Sequence, residues 1–171
     1  MTKTELTRKQ REIRLRHELI LGKARDLFID KGYHSVTMDM IAKETEYSKG
    51  TIYQHFNCKE GVITSLCTSF CKLLIKLFEL VIEEKQLNPR FQMILILEAF
   101  ILIQELCKDD VQLKNLADSE SFCTKVPVEL IEETEQLEQQ TFAIVIDIVN
   151  RAMANKQLKL KENVASETVA I

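Results

Sequence analysis

The distribution of glycine and proline predicts an all-α fold. All four glycines (Gly22, Gly32, Gly50 and Gly61) fall within the first 61 of 171 residues, and none occurs from Val62 onward. That second stretch is rich in Leu, Ile, Glu and Lys and is punctuated only by Pro89 and Pro127, a composition suited to long helices. No segment alternates apolar and polar residues as a half-buried strand would. Hydrophobic residues make up 46% and charged residues 29% of the chain, which suits a packed core and argues against disorder.

The elements follow in order. A first helix is expected from Thr7 or Arg11 to Lys31, with Ile13, Ile20, Leu21, Ala24, Leu27 and Phe28 on one face and Gly32 as its stop. A second starts after Thr37, an N-cap residue, with Asp39 in its first turn and Ile41 and Ala42 inward. A third starts near Ser48 and ends about Phe56. The fourth begins after Asn57 or Cys58, reaches about Glu84, and has Val62, Ile63, Leu66, Phe70, Leu73, Leu74, Leu77, Phe78 and Val81 on its apolar face. Pro89 suits the first turn of a fifth helix running to about Cys107. That helix is apolar nearly all round, which predicts the centre of the body. A short helix over Asp110 to Leu116 and a loop over Ala117 to Lys125 come next. Pro127 opens a long helix to about Asn155, with Leu130, Ile131, Leu137, Phe142, Val145, Ile148, Val149 and Ala152 inward. Glu162 to Ile171 reads as the opening of one more helix.

Charge is unevenly spread. Residues 1–61 hold 12 Lys/Arg against 9 Asp/Glu, and residues 62–171 hold 11 against 17, within a net charge of −3. Residues 1–17 alone carry six basic and two acidic side chains. A basic arm ahead of an acidic body suits a partner with phosphates, although a solvated helix start would look the same. The five cysteines (Cys58, Cys67, Cys71, Cys107 and Cys123) show no paired spacing, and no charged-then-apolar leader opens the chain, so a cytoplasmic protein with reduced thiols is expected. The longest apolar run, Met93 to Ile103, is interrupted by Glu98 and is too short to span a bilayer. Cys67 and Cys71 lie four apart on one helix face and with Cys107 and Cys123 could sense metal or redox state, but no histidine lies near them in sequence and buried cysteine is common. No phosphate-cradling glycine loop, metalloprotease pair or nucleophile with a base is present, so neither an enzyme nor a bound cofactor or metal is expected.

Thr37 to Lys59 holds the sharpest signal. Two short helices are joined by a tight turn, and the second has Ile52 and Phe56 as apolar anchors behind Lys49, Thr51, Tyr53, Gln54 and His55. Polar donors on one face and large apolar residues on the other suit a helix that plugs into a small domain and shows its polar side to a nucleic-acid groove. Arg16 to Gly61 resembles the DNA-binding domain of the TetR family of transcriptional repressors. The resemblance is carried by Ile20, Leu21, Ala24, Leu27, Phe28, Gly32 and Tyr33 in the first helix and its stop, and by Thr37, Ile41 and Ala42 in the second. It continues through Ser48, Lys49, Gly50, Thr51, Ile52, Tyr53, His55 and Phe56 in the recognition helix, and through Lys59 and Glu60 at the start of the fourth. It implies a helix-turn-helix domain over residues 1–58 and a helical regulatory domain for effector binding and dimerisation over residues 59–171.

Under that resemblance, Lys49 and Thr51 are candidates for groove or base-edge contacts. Tyr53, His55, Lys59 and Thr37 suit phosphates, and Gln54 could reach either; Ser48 and Gly50 complete the DNA-binding set. One departure stands out. Where the family has alanine and glycine in the turn, this chain has Thr45 and Glu46, followed by the bulky Tyr47. A left-handed turn at Glu46 would cost about 1–2 kcal/mol relative to glycine, so the turn is either reshaped or strained.

For the body, the resemblance implies a small-molecule site and a homodimer. Phe70, Leu74, Phe78, Phe100 and Phe142 are effector-lining candidates that could equally be core, and Glu98 is a carboxylate amid apolar neighbours. The expected protein is a repressor of a palindromic operator, a double-stranded DNA partner, released by a small hydrophobic effector. The competing expectation is a helical interaction module with weak or lost DNA binding, because Glu46 stands in the turn and because the chain shows seven helices before Lys156 and an eighth cut short at Ile171, leaving the family's usual dimer face incomplete.

Overall fold

The structure, a computed structural model, describes residues 6–155. Among these residues it contains α1 (Arg8–Lys31), a 3-10 turn (Tyr33–Ser35), α2 (Met38–Thr45), α3 (Lys49–His55), α4 (Lys59–Glu83), α5 (Pro89–Leu106), α6 (Lys108–Ala117), α7 (Glu120–Cys123) and α8 (Val128–Ala154), with no strand. The helix expected over Glu162 to Ile171 lies outside the described residues. None of these helices is long and apolar enough to cross a membrane.

Helix boundaries follow local chemistry. Thr7 caps α1 in a reciprocal box with Gln10, and Gly32 ends it at φ 74°, a backbone angle that costs glycine little. The Thr37, Ser48 and Asn88 side chains accept backbone N–H groups at the starts of α2, α3 and α5. Pro89 sits in the first turn of α5, where its missing N–H has no helical partner to lose.

Packing divides the chain into two units. One comprises residues 6–69 with 109–132, the other 70–108 with 133–155, so α4 and α8 each contribute to both. The seam differs from a division at residues 58 and 59. The first eleven residues of α4 pack with α1, and the segment after Lys108 belongs with the N-terminal helices. In the first unit, Ile20, Ala24 and Phe28 of α1 meet Ile41, Ile52, Val62 and Ile63, and this core is closed by Leu113, Phe122 and Val126.

The second unit has a small core of Phe78, Ile96 and Ile148, flanked by half-buried Val81, Ile82, Met93, Ile144 and Val145. Gln92 is buried there, and its Nε2 donates to the carbonyls of Val81, Ile82 and Glu84 at 3.2–3.3 Å, fastening the start of α5 to the end of α4.

Several expectations are corrected. Helix α5 is not central: only Gln92 and Ile96 are buried on it, while Phe91, Leu95, Leu97, Phe100, Ile101, Leu102 and Leu106 are exposed. An all-round apolar surface marks a helix that needs cover but does not say what supplies it. Ile13, Leu73 and Phe142, expected inward, are exposed because periodicity assigns a face without limiting how far along the helix neighbours reach. The loop expected over residues 117–125 contains the single turn α7, which places Phe122 in the first core.

Candidate nucleic-acid interface

The recognition element is built from two caps and one unusual turn. Thr37 Oγ1 accepts the Met40 N–H at 3.3 Å and starts α2. That helix ends where Thr45, buried, turns its hydroxyl back onto the carbonyls of Ile41 and Ala42 at 2.8 and 3.1 Å. Glu46 then adopts the left-handed conformation, φ 59° and ψ 18°, and is the sole non-glycine residue with positive φ among the described residues. Its N–H and that of Tyr47 both return to the last turn of α2, the Tyr47 N–H reaching the Ala42 carbonyl at 3.2 Å. The turn therefore keeps the left-handed geometry that glycine favours, with a glutamate in it. Tyr47 is half-buried against the core, and the Arg16 guanidinium lies 5.6 Å from its ring centroid.

Ser48 opens α3 by accepting the Thr51 N–H at 3.1 Å, and its hydroxyl also meets the Thr51 hydroxyl at 2.9 Å. Ile52 and Phe56 anchor α3 in the core. The opposite side presents Ser48, Lys49, Gly50, Tyr53 and Gln54 to solvent, with Tyr53 49% exposed. A Cβ on Gly50 would meet nothing closer than Ser48 Oγ at 3.8 Å, so packing within the chain does not require glycine there. The Lys49 ammonium lies 2.5 Å from Asp39 Oδ2 of α2, and this hydrogen bond holds its pKa above the ordinary lysine value.

His55 is half-buried. Its ring centroid lies 5.7 Å from that of His17, which stacks on Phe56 at 4.7 Å. Burial holds both histidines below their ordinary pKa, helped by His55 acting on His17 and by Arg16 acting on His55.

Lys59 has a structural position. Its Nζ donates to the carbonyls of Tyr33 and Val36 at 2.9 and 3.2 Å and sits 4.2 Å from the centroid of the Tyr33 ring. Two of the ammonium's three N–H groups thus close the link between α1 and α2. The Tyr33 hydroxyl donates to Glu60 at 2.5 Å, and burial, then Glu60, pushes its pKa up to about 12. Sequence reasoning missed the working roles of Asp39, Tyr33, Glu60 and His17. Asp39 had a usable signal in its place in the first turn of α2, ten residues before Lys49.

The body candidates do not share one environment. Phe78 is in the core of the second unit, Phe70 and Leu74 are half-buried, and Glu98, Phe100 and Phe142 are exposed.

A short capped helix anchored by Ile52 and Phe56, following a tight turn and showing a polar face, defines a helix-turn-helix domain. Residues 20–66 match the family described as bacterial regulatory proteins, tetR family. Over 47 residues the chain is 45% identical to the HTH-type transcriptional regulator QacR of Staphylococcus aureus, a match spanning 28% of this chain and 25% of that protein. The chain thus spans about a quarter of the length of the curated relatives it matches. Its fold is similar to that of PfmR from Thermus thermophilus, at TM-score 0.69 and 20% identity over 84% of this chain and 75% of that one. It is also similar to FadR of Bacillus subtilis, solved in complex with stearoyl-CoA, at TM-score 0.67 and 21% identity over 90% and 80%. Residues 20–66 thus carry the likeness to the DNA-binding domain of TetR-family regulators, and the fold of the chain is similar to that of solved members of that family.

Proposed function

We propose that the chain is a cytoplasmic transcriptional repressor, not an enzyme, that binds a palindromic DNA operator as a homodimer and is released by a small hydrophobic effector. The observation that supports DNA binding most directly is the outward face of α3. Gly50 stands bare between Lys49 and Thr51 although the chain's own packing has room for a side chain, as expected where a duplex must approach the backbone closely. Ser48, Lys49, Thr51 and Gln54 supply groove contacts, and Thr37, Tyr53, His55 and Lys59 supply phosphate contacts.

Homodimerisation is supported by the exposed apolar side chains of the second unit, because two half-sites one helical turn apart require two heads. Phe70, Leu74 and Phe78, spaced four apart along α4, suit the apolar part of the effector, and the exposed Glu98, Phe100 and Phe142 are the further candidates. The likeness in fold to a regulator that binds stearoyl-CoA makes long-chain acyl compounds the first class to test.

The test is selection of bound duplexes from a randomised pool, followed by a salt titration. Affinity for the enriched duplex should fall steeply as salt rises. Failure to enrich any duplex, or affinity indifferent to salt, overturns the reading.

A further inference from the structure

Lys49 and Asp39 are joined across the turn of the recognition element. The ammonium at the start of α3 lies 2.5 Å from the carboxylate in the first turn of α2, and the side chains are 65% and 58% exposed. Water screens such a pair, so it does little for the fold. Its position on the outward face gives it another consequence. A lysine on a flexible stem is a point charge that any phosphate can satisfy, and phosphate attraction is blind to sequence. A carboxylate beside it offsets that charge and limits the directions the stem can take. The neighbouring Thr51 hydroxyl is restrained in the same way by Ser48, at 2.9 Å.

Resting on the reading that α3 binds DNA, we propose that Asp39 is a positioning residue that sets sequence selectivity through Lys49. The carboxylate withholds the ammonium from non-specific phosphates and yields it where a better-placed acceptor competes, for which the O6 and N7 atoms of a guanine edge are suited. A carboxylate at that place also disfavours any docking that brings a phosphate to it.

The experiment compares binding of the full chain to a duplex enriched from a randomised pool and to the unselected pool. Asp39→Asn should raise affinity for the pool about fivefold while changing that for the enriched duplex less, and should steepen the salt dependence on the pool by about one counterion. Asp39→Glu, which keeps the charge and the place in α2, should restore low affinity for the pool. In a Lys49→Met background, Asp39→Asn should change the ratio of the two affinities by less than about twofold, because the group it acts through is gone. A ratio unchanged by Asp39→Asn overturns the proposal. So does an equal change with and without Lys49, which would make Asp39 a bulk repulsive charge, and so does an Asp39→Glu variant as indiscriminate as Asp39→Asn. A wild-type chain that enriches no duplex is a different failure: it removes DNA binding itself, and this proposal with it.

Discussion

The two units reach order by different means. The N-terminal unit closes a continuous core in which side chains from six helices and the Val36 link are buried together. The second unit buries Phe78, Ile96 and Ile148 and leaves Ile101 62% and Phe142 67% exposed on its helices. A reading head must hold α3 in one pose, which a dense core provides. Under the proposed function the second unit is the regulatory body, and a thin core with uncovered apolar helices would keep surface available there for a ligand or a second copy.

The largest effect that would break this contrast comes from truncating one phenylalanine in each unit. Phe122 is 2% exposed and lies in the core shared with α1 and α4, far in sequence from the recognition helix. Phe122→Ala should destabilise the chain by about 3–5 kcal/mol and abolish DNA binding through the head. Phe142→Ala should change monomer stability by less than about 0.5 kcal/mol. Urea unfolding at low protein concentration, where association does not contribute, measures both. Similar losses from the two variants would remove the distinction.

Ion pairs sharpen the comparison at a smaller scale. Arg25 meets both carboxylate oxygens of Asp110 at 2.6 and 2.7 Å, a bidentate pair between α1 and α6 that is mostly shielded from water. Arg25→Met should cost about 1–3 kcal/mol, partly by leaving Asp110 without its partner. In the second unit, Lys72 and Glu133 are 2.7 Å apart and 56% and 44% exposed. Lys72→Met should cost no more than about 0.5 kcal/mol in the same assay.

What the sequence made legible was local. The caps at Thr37 and Ser48, the stop at Gly32 and the proline start of α5 are short-range chemistry, and each sits where its residue type predicts. The anchors Ile52 and Phe56 were readable from their spacing against the polar face. The attachment of residues 109–132 to the head was not, because Leu113, Phe122 and Val126 find α1 and α4 through tertiary packing that has no period to betray it. The exposure of α5 was illegible for the same reason: hydrophobicity states a need for cover, and only the packing shows whether it is met. Lys59 looked like a free cation in sequence, since the carbonyls of Tyr33 and Val36 that engage it lie 23 or more residues earlier.

A gain in stability is expected at one site in the head. Glu46 holds a left-handed backbone with its N–H committed to the end of α2. Glu46→Gly should stabilise the chain by about 0.5–1 kcal/mol, the relief of strain being partly offset by the greater freedom of glycine in the unfolded chain. A urea midpoint that falls would mean the glutamate side chain makes a compensating contact.

The smallest effect separates the units by pH. The three histidines, His17, His34 and His55, all precede Phe70 and fall in the first unit. His17 and His55 titrate below their ordinary value of 6.5 when folded, chiefly through burial. The unfolded chain therefore binds more protons than the folded one between the lowered values and 6.5, so stability rises with pH across that window. The contribution is fully present above about pH 6.5 and is lost as pH falls through it towards the folded values. Hydrogen-exchange protection, corrected for intrinsic rates at pH 8 and pH 5.5, should fall in α1 and α3 but hold steady around Phe78, Ile96 and Ile148, where no histidine titrates. His17→Gln with His55→Gln should flatten the change in the head, since a neutral amide takes up no proton. Loss of protection of equal size in both units would show that the two open together, and that the contrast in their cores does not extend to how they unfold.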